Sequence, residues 1–230
     1  MPMVLEIKEK SGKKYNLWID GERYGRWYPG DLRELGFSEV STGQILELTE
    51  SALAEFEHTV LLPRAKRRSL FLLGKKEYTS GELKKKLVTD GYSEMIVASV
   101  LAYLSDLHYV DDFSYGERYA FSLLSKCSER ELFQKMLQKG LEKELVKEAI
   151  AAAKERYRFE QEGTDKEEVF PELEAIRIFL QKKGYNPDSS SPEKKKKMIV
   201  SLYRKGFAMS DIQKILGEVE VDYEGQFSEN

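Results

Sequence analysis

Two groups of side chains in this sequence carry chemistry worth weighing: the adjacent carboxylates Asp111 and Asp112, and a run of cations between Arg64 and Lys76. A carboxylate pair can ligate a metal or divide acid and base roles, but no further acid stands at a recognisable ligand spacing around this one. An aspartate just ahead of a helix expected near Tyr115 is a favoured N-cap, which is the simpler use for the pair. His58 and His108 stand fifty residues apart, Cys127 is the single cysteine, and the chain contains no H-E-x-x-H, no Walker loop and no G-x-G-x-x-G after a strand. No catalytic, cofactor-binding or metal-binding residue is therefore expected, and the protein is read as a non-enzyme. Tyr103, Tyr109, Tyr115, Tyr119 and Phe121 would suit base stacking, yet aromatic residues at helical spacing more often fill a core.

The cations are the stronger signal. Arg64, Lys66, Arg67, Arg68, Lys75 and Lys76 fall in thirteen residues that hold no acid, while the whole chain carries 37 Lys and Arg against 40 Asp and Glu. Arginine concentrated in this way suits a planar, multidentate partner such as a phosphate or carboxylate, so these six are the candidate partner-binding residues. Lys194 to Lys197 read instead as a solvated helix face. Acids cluster elsewhere, in Glu160 to Glu174 and in the tail from Glu218, so the chain is bipolar, with a net charge of −3. That acidity argues against bare nucleic acid as the main partner.

The elements that hold these residues come next. At 41% hydrophobic and 33% charged the 230-residue chain can bury a core. One cysteine excludes an internal disulfide and a Cys-rich zinc site, which is compatible with a reducing compartment. There is no apolar run of about 18 residues, and Met1 to Lys10 lacks the basic-then-apolar order of a signal peptide, so a cytoplasmic protein with no membrane contact is expected. Val4, Leu5 and Ile7, then Tyr15, Leu17 and Ile19, separated by Ser11-Gly12 and Asp20-Gly21, predict a small antiparallel meander of three strands over residues 1 to about 28. Leu46 to Phe56 is expected to be the helix that covers it, and Pro63 to open the helical region.

One pattern then recurs three times, around Gly91, Gly140 and Gly206. Apolar side chains fall eight and four residues before each glycine (Leu83 and Leu87, Leu132 and Met136, Met198 and Leu202). They return one, six, nine and ten residues after it: Tyr92, Val97, Val100 and Leu101, then Leu141, Val146, Ala149 and Ile150, then Phe207, Ile212, Ile215 and Leu216. A helix enters each glycine, which takes the left-handed position that closes it, and a second helix leaves. Thr79 with Glu82 and Ser128 with Glu131 are capping boxes at equivalent places, and Ser191-Pro192 starts the third equivalent helix. A further helix precedes each pair, over about residues 65–74, 115–125 and 172–183. The turn-forming insert Asn186 to Pro192 lengthens the last interval, and Thr164 with Glu167 opens the third unit. The fold class expected is mainly α: elongated tandem three-helix repeats, three units, behind a small N-terminal antiparallel β subdomain. The divisions are 1–60 for the β-rich subdomain with its covering helix, 61–113, 114–162, and 163–230 with the acidic tail. Stacked helical units of this kind build long surfaces rather than deep pockets.

The runs L-L-G-K-K-E-Y-T-S-G-E-L-K-K-K-L (Leu72 to Leu87), D-G-Y-S-E (Asp90 to Glu94) and Y-V-D-D-F-S-Y-G (Tyr109 to Gly116) resemble the first repeat of the RecX family, modulators of the RecA recombinase. Q-K-G-L (Gln138 to Leu141) and R-K-G-F (Arg204 to Phe207) are similar to later repeats. N-L-W-I-D-G-E-R-Y-G (Asn16 to Gly25) resembles the small β extension of some members. The chain departs from the family pattern at Phe121 and Leu123, where arginines are usual, and at Lys135, where an acid is. The resemblance implies a monomeric protein without cofactor that lies in the groove of a RecA–DNA filament, meets DNA through it, and restrains ATP hydrolysis and strand exchange. Its setting would be DNA repair, homologous recombination and the SOS response. A helical DNA-binding protein using the cationic run, and a helical adaptor with an unrelated partner, are the alternatives.

Overall fold

The structure, a computed structural model, describes residues 2–161, 170–186 and 190–217. The expected meander is present as β1 (Pro2–Ser11), β2 (Lys14–Ile19) and β3 (Glu22–Trp27), all antiparallel, but the sheet has a fourth strand, β4 (Ile45–Thr49), on the free edge of β1, in the order β3-β2-β1-β4. This corrects the helix expected from Leu46. Pro2 to Glu6 would otherwise present unpaired backbone groups, and pairing Met3 with Leu48 and Leu5 with Leu46 satisfies them. A short helix α1 (Pro29–Glu34) stands between β3 and β4. The covering helix α2 (Glu50–Phe56) starts later than expected, capped by Thr49, whose Oγ1 accepts from the amide of Ala52 at 3.2 Å. It supplies Leu53 and Phe56 to a core with Leu5, Ile7, Leu17 and Trp27, and the rings of Trp27 and Phe56 lie 5.0 Å apart.

Pro63 does not begin a separate helix. The chain stays helical from α2 through a π-helical segment (Glu57–Leu61) into α3 (Leu62–Leu73). Proline has no N–H to give the carbonyl of Thr59, and the wider turn just upstream absorbs that missing bond without breaking the helix.

Three groups of three helices follow from the sequence pattern: α3, α4 (Ser80–Asp90) and α5 (Glu94–Asp106); α6 (Asp112–Leu123), α7 (Glu129–Gln138) and α8 (Lys143–Gln161); α9 (Pro171–Lys182), α10 (Pro192–Arg204) and α11 (Met209–Leu216). The middle helices begin alike. Thr79, Ser128 and Ser191 each accept an amide hydrogen bond three residues on, at 3.0, 3.2 and 3.3 Å. The Glu131 carboxylate pairs with Lys135 and Lys205. They also end alike. Gly91, Gly140 and Gly206 have φ of 97°, 82° and 91°, and each turn closes with the paired bonds of a left-handed cap: Tyr92 to Leu87 with Gly91 to Val88, Leu141 to Met136 with Gly140 to Leu137, Phe207 to Leu202 with Gly206 to Tyr203. The residue four before each glycine and the one six after are buried in every group. In the third group Ile199 is buried where Met198 was expected, and Met198 is only partly covered.

Two compact units result, residues 1–111 and 112–230. The first has one core, shared by the sheet, α2 and α3 to α5. The second has two among the described residues, one for α6 to α8 and one for α9 to α11. The expected box at Thr164 and Glu167, most of the acidic stretch before Glu174, and the acidic tail lie outside the described residues.

Candidate interaction surface

All six candidate cations are on α3 or the turn after it, but they do not share one fate. Arg64 turns inward and grips Asp31 with both terminal guanidinium nitrogens, at 2.8 and 2.6 Å. Asp31 sits at the third position of α1, only 3% exposed, and its carboxylate also accepts the amide of Tyr28 at 2.8 Å. Three donors on one buried carboxylate make a strong, geometrically fixed tie between α1 and α3. Hydrogen bonding to Asp31 raises the Arg64 pKa further, and the ring of Tyr28 lies 5.5 Å from the guanidinium carbon. Arg68, one turn along, donates from Nε to Asp90 at 2.7 Å and so ties α3 to the end of α4.

The other four face outward. Lys66 stands 3.7 Å over the Tyr103 ring, Lys75 lies 4.3 Å from Phe71, and Lys76 lies 4.4 Å from Tyr78, a ring that Lys86 also approaches. Arg67 is exposed and makes no ion pair or ring contact among the described residues. Phe71 is 56% exposed, with Leu70 beside it. The outer side of α3 thus alternates cations with accessible aromatic and apolar surface, an arrangement suited to an anionic partner with some apolar character.

The residues weighed for catalysis do not converge. His58 is exposed in the π-helical segment, and His108 is exposed at the end of α5, in a left-handed conformation with φ of 55°. The Cys127 thiol is buried, and burial pushes its pKa up. Asp111 immediately precedes α6 and Asp112 is in its first turn, where helix capping would place them. Among the described residues no group of three or more His, Cys, Asp or Glu stands ready to hold a metal, and no helix is long and apolar enough to cross a membrane. Of the aromatic array, Tyr103 flanks the first core and Tyr115, Tyr119 and Phe121 flank the second. Tyr109 is exposed.

Sequence reasoning missed the acids that hold Arg64 and Arg68. One signal was available: Tyr28-Pro29-Gly30-Asp31 is a helix start, with proline in the first turn and an acid at the third position.

Family models describing RecX match the chain twice, the first three-helix domain over residues 65–104 and the third over residues 171–216. Curated relatives extend the likeness over more than nine-tenths of the chain. The regulatory protein RecX of Caldanaerobacter subterraneus subsp. tengcongensis is 25% identical over 214 residues, covering 91% of this chain and 95% of its own. The chain belongs to the RecX family. The RecX of Clostridium tetani is 23% identical, covering 94% of this chain and 92% of its own. Two crystal structures share the fold. One of a regulatory protein RecX has a TM-score of 0.55 at 19% identity and covers 95% of this chain and all of its own. The other, of RecX from Lactobacillus salivarius, has a TM-score of 0.51 at 18% identity and covers 67% of this chain and 94% of its own. Lys135 pairs with Glu131 one turn back, and Phe121 is covered by Arg156 from α8 at 4.3 Å.

Proposed function

We propose that this RecX-family chain binds the filament that RecA forms on DNA and restrains its ATPase and strand exchange in recombinational repair, in the cytoplasm, as a monomer and without chemistry of its own. The observation that carries the reading is family membership over almost the full length, since the curated relatives are named as regulatory proteins. The surface fits that role. Helical groups whose inner faces are taken up by a core leave outer faces free for a partner, and α3 offers Arg67, Lys75 and Lys76 beside the exposed Phe71. Of the six candidate cations these three are the best placed for a partner, because Arg64 and Arg68 are already held by Asp31 and Asp90.

The test is a titration into a DNA-dependent ATPase assay with RecA from the same source. Wild-type protein is expected to lower turnover. Charge reversal at Arg67, Lys75 and Lys76 together is expected to weaken the effect, while the fold, monitored by circular dichroism, is retained. An ATPase unchanged at saturating protein would refute the proposal. The cations stacked on rings favour one second reading, direct binding to DNA. Salt separates the two: binding to bare DNA collapses as salt rises, whereas filament binding keeps a salt-resistant part.

A further inference from the structure

Where β2 and β3 meet the turn between α4 and α5, four cations gather about two tyrosines. Lys14 donates from Nζ to the backbone carbonyl of Asp90 at 2.6 Å, and it stands 4.7 Å from the ring centre of Tyr28 and 5.9 Å from that of Tyr92. Arg64 lies on the same Tyr28 ring, and Arg68 reaches the Asp90 carboxylate. Arg26 lies across Gly91. Its amide donates to the Gly91 carbonyl at 2.8 Å, and its Nε is enclosed with no hydrogen-bond partner.

The charges do not cancel. Asp31 answers Arg64 and Asp90 answers Arg68, while among the described residues no carboxylate forms an ion pair with Lys14 or Arg26. Two positive charges are left at a half-buried seam, where like charges repel through a medium less polarisable than water. Burial, and then the neighbouring charge of Arg26, push the Lys14 ammonium below its ordinary value, against smaller opposing effects of Asp90 and Asp31. The Asp90 carbonyl and the rings of Tyr28 and Tyr92 answer part of the Lys14 charge, and an anion at the seam would answer the rest. A dianion matches the residual charge, and the arginine fork matches tetrahedral oxyanions.

We propose that this seam is a binding site for a phosphate group carrying two negative charges, such as a phosphate monoester or a pyrophosphate. Lys14 and Arg26 supply the charge, and Tyr28 forms an exposed wall beside Lys14. The site is separate from the outer cations of α3 and does not depend on the recombinase reading.

Calorimetric titration of pyrophosphate into the full chain at constant ionic strength should show saturable binding at one site. Lys14→Met and Arg26→Met should each weaken it by about tenfold or more, while Lys196→Met, on an exposed face of α10, should leave it unchanged. In the wild-type protein pyrophosphate should also raise the Lys14 ammonium pKa, read by NMR, a measurement that does not depend on any variant folding. Competition with a short 5′-phosphorylated oligothymidylate, set against the same oligomer without its terminal phosphate, distinguishes the sources: displacement by the phosphorylated oligomer alone assigns the monoester to a polynucleotide end, displacement by neither assigns it to a free phosphorylated ligand, and equal displacement by both overturns the preference for a dianion. Absence of saturable binding at millimolar pyrophosphate, or binding that both substitutions leave intact, overturns the proposal.

Discussion

Replacing Gly91 by alanine separates two demands that the structure makes on one residue. The first is conformational: φ is 97°, and an L-residue in the left-handed region costs about 1–2 kcal/mol. The second is steric. A Cβ at Gly91 would stand 2.5 Å from Cβ of Arg26, an atom fixed by the backbone of β3, which is itself bonded to the Gly91 carbonyl. Neither side can yield without moving the sheet against α4, and overpacking of this kind adds about 1–3 kcal/mol. Gly36, at the end of α1, is the matched control: its φ is 92°, its turn carries the same paired bonds (Phe37 to Leu32, Gly36 to Arg33), and nothing lies within 4 Å of an added Cβ. Gly36→Ala should therefore cost about 1–2 kcal/mol and Gly91→Ala about 2–5 kcal/mol. Urea unfolding followed by tryptophan emission is the assay, because both tryptophans, Trp18 and Trp27, are in the sheet and report the first unit alone. Equal losses in the two variants would refute the close approach of β3, and no loss in either would refute the left-handed caps.

His108→Gly should raise the stability of the first unit by a few tenths to about 1 kcal/mol, because His108 holds a φ of 55° at the end of α5; a fall in the urea midpoint would contradict this. Asp31→Asn should cost about 1–3 kcal/mol in the same assay, since it leaves the partly exposed Arg64 without its counter-charge. Hydrogen bonding from Lys135 holds the Glu131 carboxyl below 4.5, against a smaller opposing effect of burial, and Lys205 adds to the lowering. A depressed folded value contributes stability that is present above pH 4.5 and lost as pH falls through that lower value. Glu131→Gln should flatten the acid limb of the melting curve of the second unit, and an unchanged limb would count against the pairing.

What was legible in the sequence is what is local. The caps at Thr79, Ser128 and Ser191 and the turns at Gly91, Gly140 and Gly206 depend on residues within a few positions of one another, so type and spacing state them directly. Ile45 to Thr49 was misread because Leu46, Leu48 and Leu53 fit a helix as well as a strand, and only the unpaired edge of β1, about forty residues away in the chain, decides for the strand.

The cationic run shows the same limit in a functional residue. Six side chains of one charge in thirteen residues read as one patch, yet a helix turns Arg64 and Arg68 toward a face where other elements bring acids, and turns Arg67 away from it. The partner of Arg64 is 33 residues upstream and that of Arg68 is 22 downstream, separations at which no spacing rule operates. Two arginines that promise an external phosphate or carboxylate thus meet carboxylates of the chain itself. Lys14 and Arg26, which no run singled out, are left with the unanswered charge. In a helical protein that binds through its surface, a cation marks a partner only after the carboxylates of its own fold have been counted against it.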